Sequence, residues 1–184
     1  MRALTALFPV VALVACASVP PPASVPDSLK PPAGQVLQLE ALASGVQIYE
    51  CAAKADGSGP GWVFRAPEAT LVDRSGKPLG KHYAGPTWEA LDGSRVVGEV
   101  KAREPGPTPA TAIPWLLLEA KRSAPVANGD AASAAASSAN VFAATRSIQR
   151  LSTSGGVPPP EACTAGRLGQ SARVPYTAVY NFYR

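Results

Sequence analysis

Val174-Pro-Tyr-Thr-Ala-Val-Tyr-Asn-Phe-Tyr-Arg184 places Val174, Tyr176, Ala178, Tyr180 and Phe182 at every second position. A strand turns successive side chains to opposite faces, so these five share one face, whereas a helix would scatter them. The stretch reads as a closing strand that lies within a sheet. The same period recurs upstream. Leu37, Leu39 and Ala41 alternate with Gln38 and Glu40, Gly45 reads as a break, and Val46-Gln-Ile-Tyr-Glu-Cys51 alternates again. Asp56-Gly-Ser-Gly-Pro-Gly61 signals a turn before Trp62-Val-Phe64. A short run from Ala69 to Val72 meets a second turn, Asp73-Arg-Ser-Gly76, before Pro78 to Tyr83. Asp92-Gly93 predicts a two-residue type I′ hairpin between Trp88-to-Leu91 and Arg95-to-Lys101. Ile113 to Leu118 is apolar at consecutive positions and reads as a strand buried on both faces, and Thr145 to Leu151 as a further strand.

Of the 184 residues, 20 are proline and 16 glycine, which argues against a helical bundle. A 46% hydrophobic and 16% charged composition is that of a globular domain, and the length suits one. The expected fold is all-β, an antiparallel β-sandwich or small barrel of about 8–10 short strands with Pro/Gly-rich loops. Pattern alone leaves sandwich and barrel open. Ser123 to Asn140 is low-complexity Ala/Ser without an apolar face, so it is expected to be a surface insertion (123–140) within a single β-domain spanning 34–184.

The N-terminus has a different character. Residues 1–15, MRALTALFPVVALVA, carry one Arg and then an apolar run too short for a stable membrane span, as in a signal peptide. Leu13-Val-Ala-Cys16 looks like a bacterial lipobox, with Cys16 as the lipidated residue; the alternative is an ordinary secretory signal. Six of the sixteen residues from Ala17 to Pro32 are proline, so residues 16–33 are expected to form an extended tether. Ala17 is not the Asp that favours inner-membrane retention, which points to an outer-membrane lipoprotein.

Without Arg2, the 17 basic residues become 16 against 13 acidic ones, a net charge of +3. They are scattered, and only Lys121-Arg122 are adjacent, which speaks against nucleic acid as a partner. With Cys16 lipidated, Cys51 and Cys163 remain as an even pair in an oxidising compartment and are expected to form a disulfide. The competing readings are two free thiols or a zinc site. Zinc fits poorly, because two Cys and one His fall short of a closed four-ligand site.

No P-loop, H-E-x-x-H, EF-hand loop or G-x-S-x-G elbow is present, and no cofactor is expected. The segment Lys81-His-Tyr-Ala-Gly-Pro-Thr-Trp-Glu89 gathers the chain's one His, two aromatics and a carboxylate around a Gly-Pro turn. His82, Tyr83, Thr87, Trp88 and Glu89 are therefore the candidate ligand or catalytic residues. A hairpin here is expected to bring His82 near Glu89, an arrangement suited to acid–base work. The competing reading makes the aromatics core and His82 a satisfied turn residue. Trp62, Trp88 and Trp115 offer another candidate, a shared stacking face for a sugar or lipid, or else core.

Several of these stretches together resemble the family catalogued as domain of unknown function 3455: Gly45 to Cys51, Trp62 to Leu71, His82 to Glu89, Ile113 to Leu118, Ile148 to Arg150, Gly155-Gly156 and Val174 to Tyr180. Cys51 and Cys163 fall where that family usually carries Cys. The resemblance implies a secreted or envelope-attached protein without an established activity. Some fungal relatives are labelled malate dehydrogenase, but this chain lacks the strand–GxGxxG–helix unit that dinucleotide chemistry uses. The leading expectation is a lipid-anchored, non-catalytic envelope module that binds a protein, a glycan or an apolar ligand. The rival is a hydrolase or lyase using His82 and Glu89.

Overall fold

The computed structural model of the protein describes residues 24–124 and 140–184. The expected signal peptide, Cys16 and the body of the Ala/Ser-rich insertion lie outside the described residues. Eight strands follow one another: β1 (Leu37–Ala53), β2 (Pro60–Val72), β3 (Pro78–Tyr83), β4 (Thr87–Ala90), β5 (Arg95–Glu104), β6 (Trp115–Ala124), β7 (Ser147–Gly155) and β8 (Ser171–Tyr183). Each is antiparallel to the next, and β8 returns to pair with β1 from Leu37↔Tyr183 to Glu50↔Ser171. The result is a closed up-and-down barrel. Closure decides between the two expected architectures, since it leaves neither terminal strand with an unpaired edge.

The eight strands fall within the expected number, but several are longer than expected. Gly45 does not interrupt β1, which runs through it for 17 residues. Gly45 instead allows a close approach of β1 and β2: a Cβ there would lie 2.1 Å from the Glu68 carbonyl oxygen and 2.5 Å from the Ala69 Cα. Likewise Trp62-Val-Phe64 and Ala69 to Val72 belong to one strand, β2, which absorbs the irregularity as a register shift opposite Ile48 and Tyr49. The Asp92-Gly93 hairpin forms with a different turn. The Gly93 N–H donates to the Ala90 carbonyl (2.9 Å) and the Ala90 N–H to the Ser94 carbonyl (2.9 Å). Only Gly93 has positive φ (83°), whereas a type I′ turn needs it at both central residues. This is a three-residue loop with glycine at the left-handed position, and the Asp92 carboxylate accepts the Ser94 N–H (2.8 Å).

Trp115 to Leu118 is buried on both faces, as its composition implies. Leu116 and Leu118 enter the barrel core, while Trp115 and Leu117 pack outside it with Leu29 and Leu151. The cover on that outer face comes from the described end of the expected tether. Leu29 is fully buried and its carbonyl accepts the Gln149 side-chain amide (2.6 Å), so this part of the Pro-rich segment is docked on the barrel. A leucine with apolar neighbours gains more from burial than an extended spacer gains from solvation. The sequence offered the leucine but not its site.

In a meander barrel, alternate connections gather at one end. The β2–β3 and β4–β5 turns and residues 140–146 meet at the first end, where Phe142, with no exposed surface, closes the interior. Its N–H donates to Ser94 Oγ (3.2 Å), and the Val141 N–H donates to Asp92 Oδ2 (3.0 Å). Phe142 packs on Phe182 at 4.6 Å, and Phe182 on Trp88 at 6.0 Å, so aromatic rings fill this half. The second end carries the β1–β2, β3–β4, β5–β6 and β7–β8 connections. There Cys51, at the end of β1, forms a disulfide with Cys163 in the segment before β8, 112 positions away.

That bond staples the longest loop at the second end to the barrel wall. Changing Cys51 and Cys163 together to Ala is expected to lower the unfolding free energy by about 2–5 kcal/mol. Urea denaturation of the two proteins measures it, and an unaltered midpoint would contradict the expectation.

Candidate functional site

The β3–β4 hairpin pairs Lys81 with Glu89, His82 with Trp88 and Tyr83 with Thr87. Alternation then divides the expected site between two faces of the barrel wall. His82 and Trp88 point inward, 3% and 1% exposed, with their rings stacked at 4.3 Å and only 11° apart. Tyr180 meets both rings edge-on, at 5.1 and 5.3 Å. Glu89 points outward, where it accepts the Tyr83 hydroxyl (2.7 Å) and pairs with Arg95 (2.8 Å) and Lys81 (3.3 Å). The structure therefore does not bring His82 and Glu89 together. Seven positions across a tight hairpin place two residues in adjacent rows of opposite parity, with the sheet between them.

The environments differ accordingly. The Tyr83 hydrogen bond, with help from Lys81 and Arg95, holds the Glu89 carboxyl below its ordinary range. Burial pushes His82 down to about 3, with the Arg150 charge acting in the same direction and the bond to Thr87 opposing it. In that bond Nδ1 lies 2.9 Å from the Thr87 carbonyl oxygen, which can only accept, so the neutral ring carries its proton on Nδ1. Thr87 also donates its hydroxyl to the Ala84 carbonyl (2.9 Å), which braces the turn. An imidazole held neutral in this way is a poor proton donor near neutral pH.

The three tryptophans do not share a face. Trp88 is in the interior and Trp115 lies under the N-terminal segment. Trp62 is half-buried, donating its indole N–H to the Glu161 carbonyl (2.7 Å). Among the described residues no three His, Cys, Asp or Glu side chains cluster closely enough to hold a metal ion.

What the barrel does build is a cavity of about 520 Å³ in its second half. His82, Trp88 and Tyr180 line its inner part, Gln47, Tyr49, Leu116 and Arg150 its walls, and Phe64, Val100 and Arg103 its outer part. Gly85 and Pro86, the turn singled out in the sequence, also border it. The rim is held in place from inside the barrel. The Tyr49 hydroxyl donates to the Gly156 carbonyl (2.6 Å), and the Ile113 N–H donates to the Gly155 carbonyl (3.0 Å). Arg150 spans the wall, donating from Nε (3.1 Å) and one Nη (2.8 Å) to the Pro114 carbonyl.

Beside this cavity several buried polar atoms have no hydrogen-bond partner: Gln47 Nε2, Trp88 Nε1 and the hydroxyls of Tyr176 and Tyr180. The two tyrosines and Arg150 are near enough to affect one another's ionisation, yet neither hydroxyl makes a well-formed hydrogen bond. Burial raises the pKa of both phenols, so they stay protonated. Of these residues Gln47, Tyr49 and Arg150 were not candidates from the sequence. For Arg150 a signal existed, since it stands two positions from Ile148 on the apolar face of a strand, where a charge demands explanation.

His82 is the chain's only histidine, and it supports a pH prediction. Folded, it stays neutral down to about pH 3, whereas its ordinary value is 6.5. Between those values the unfolded chain binds more protons, so stability falls as pH falls through the window, by up to about 1.4 kcal/mol per pH unit. Urea unfolding between about pH 6.5 and 5, where carboxylates contribute little, should show this slope in the parent and not in His82→Gln. A folded-state imidazole resonance titrating near 6.5 would contradict it.

No curated protein and no solved structure matches the chain. A family model described as protein of unknown function (DUF3455) matches residues 32–184, a span that takes in all eight strands and every residue that lines the cavity. The chain belongs to that family.

Proposed function

We propose that the protein is a non-catalytic binding module that holds a small, largely apolar molecule inside its barrel. The observation that carries this reading is the half-filled interior. An eight-stranded barrel is just wide enough either to be packed with side chains or to hold one small ligand. Here aromatic rings pack the first half, and about 520 Å³ is left in the second. That volume lies within the range of about 300–1,000 Å³ for small-molecule sites, and aromatic and aliphatic walls with a few polar groups are their usual lining. The separation of His82 from Glu89, and the low basicity of His82, weigh against the hydrolase or lyase alternative.

N-phenyl-1-naphthylamine, a neutral apolar fluorophore, tests the reading. It should bind the full chain with a saturable rise in fluorescence at one molecule per chain. Val100→Trp places bulk at a partly exposed lining position and should weaken that binding about tenfold or more while leaving the thermal midpoint close to the parent's. No saturable signal, or one indifferent to Val100→Trp, would refute the cavity as the site.

The envelope setting belongs to the same proposal. A lipid on Cys16 followed by a Pro-rich segment suits a module that meets its ligand at a membrane surface, with the outer membrane the favoured site and secretion the alternative. Cys16→Ser is expected to abolish palmitate labelling and to release the protein from the membrane fraction. Unchanged membrane association in the variant would remove the anchor from the proposal.

A further inference from the structure

The charge of the cavity narrows the class of ligand, and this inference rests on the binding reading above. Three arginines line the cavity, Arg65, Arg103 and Arg150, and among the described lining residues none is acidic. Arg65 is committed to Glu50 on the outer surface at 2.9 Å. Arg103 is exposed and has no ion-pair partner among the described residues. Arg150 is the unusual one. It shares a wall position with Leu116 and Tyr180, its cross-strand neighbours on β6 and β8. Its well-formed hydrogen bonds, from Nε and one terminal nitrogen, go to the neutral Pro114 carbonyl, and its further interaction is with the neutral Tyr180 hydroxyl, so no carboxylate answers its charge. A charge drawn into a barrel without a counter-charge is costly.

The uncommitted groups around it are of matching sense. Trp88 Nε1 can only donate, and the Tyr180 hydroxyl, approached by Tyr176 and Arg150 as donors, keeps its own proton to give. His82 is neutral and adds no charge of its own. A site made of a guanidinium without a counter-charge, with an indole N–H and a phenol O–H beside it, calls for an acceptor bearing negative charge. Its remaining walls, Phe64, Val100, Leu116 and Leu118, call for hydrocarbon. We propose that the ligand is an apolar molecule ending in a single carboxylate, with the carboxylate on Arg150 and the apolar body along Phe64, Val100 and Leu116. Arg103, on the exposed side, draws such an anion toward the opening without holding it.

Decanoate and decanol share a chain and differ in the charged end, so displacement of N-phenyl-1-naphthylamine by each isolates that end in the unaltered protein. Decanoate is expected to compete about tenfold more strongly or better, as a charge-assisted pairing in a partly buried site should. Arg150→Met should erase the preference while decanol still competes, and Arg103→Met should retain most of it. If decanoate and decanol compete equally in the parent, the anionic ligand is wrong and the apolar cavity stands. If Arg103→Met erases the preference and Arg150→Met does not, the assignment to Arg150 is overturned. If the fluorophore itself fails to bind, the binding reading falls and this inference falls with it. The parent comparison needs no variant, so it decides even if loss of the Pro114 contacts prevents Arg150→Met from folding.

Discussion

The pairing of β1 with β8 is the constraint from which the rest of the structure follows. Leu37 to Glu50 run against Tyr183 to Ser171, and this one ladder satisfies the outer backbone groups of the first and last strands together. Closure also fixes parity everywhere. Once Ala41, Ala43, Ala178 and Tyr180 face inward, the register of each following hairpin dictates which residues share the interior with them. His82, Trp88, Ile148 and Arg150 are inside for that reason, and Glu89 and Gln149 are outside. Gly45 serves the same closure, because any side chain there would push β1 away from β2.

A closed interior must then be filled, and the two halves are filled differently. Phe142, Phe182 and Trp88 occupy the first half as a run of rings, with residues 140–146 fastened over them by Asp92 and Ser94. In the second half many of the inward residues carry polar atoms. Tyrosines 49, 176 and 180, Gln47, His82 and Arg150 converge there, and the space between them stays open. Polar groups in an apolar enclosure are destabilising unless paired. Their concentration in one half of the barrel, beside a cavity, is what supports the proposed ligand site. A core built for stability alone would have used leucine and phenylalanine there.

The site was half-legible from sequence, and the split has a specific cause. The segment from Lys81 to Glu89 stood out by composition, and its turn does border the cavity. Yet proximity along the chain suggested that His82 and Glu89 cooperate, when strand parity sends them to opposite faces. The same reasoning applied to the register would have paired His82 with Trp88. Arg150, Gln47 and Tyr49 come from β7 and β1, far from the hairpin in sequence, and no local pattern links them to it. The turn at Asp92-Gly93 was legible as a hairpin but not as to type, because an Asp-Gly pair serves both a two-residue loop and a three-residue loop with glycine at the left-handed position.

The sequence by itself determined the strands' existence, their antiparallel order, the inward face of β8 and the placement of turns, because period-two alternation and Gly/Pro/Asp chemistry are local properties of the chain. It also supplied the even pair of cysteines that the fold joins as Cys51–Cys163. Only the tertiary structure decided that the sheet closes on itself, that Leu29 docks on the outside of β6 and β7, and that half of the interior remains open around Arg150. Those outcomes depend on contacts between residues far apart in the chain. Hydrophobic burial and backbone pairing at such distances carry no periodic signature, so they emerge only when the whole chain is packed.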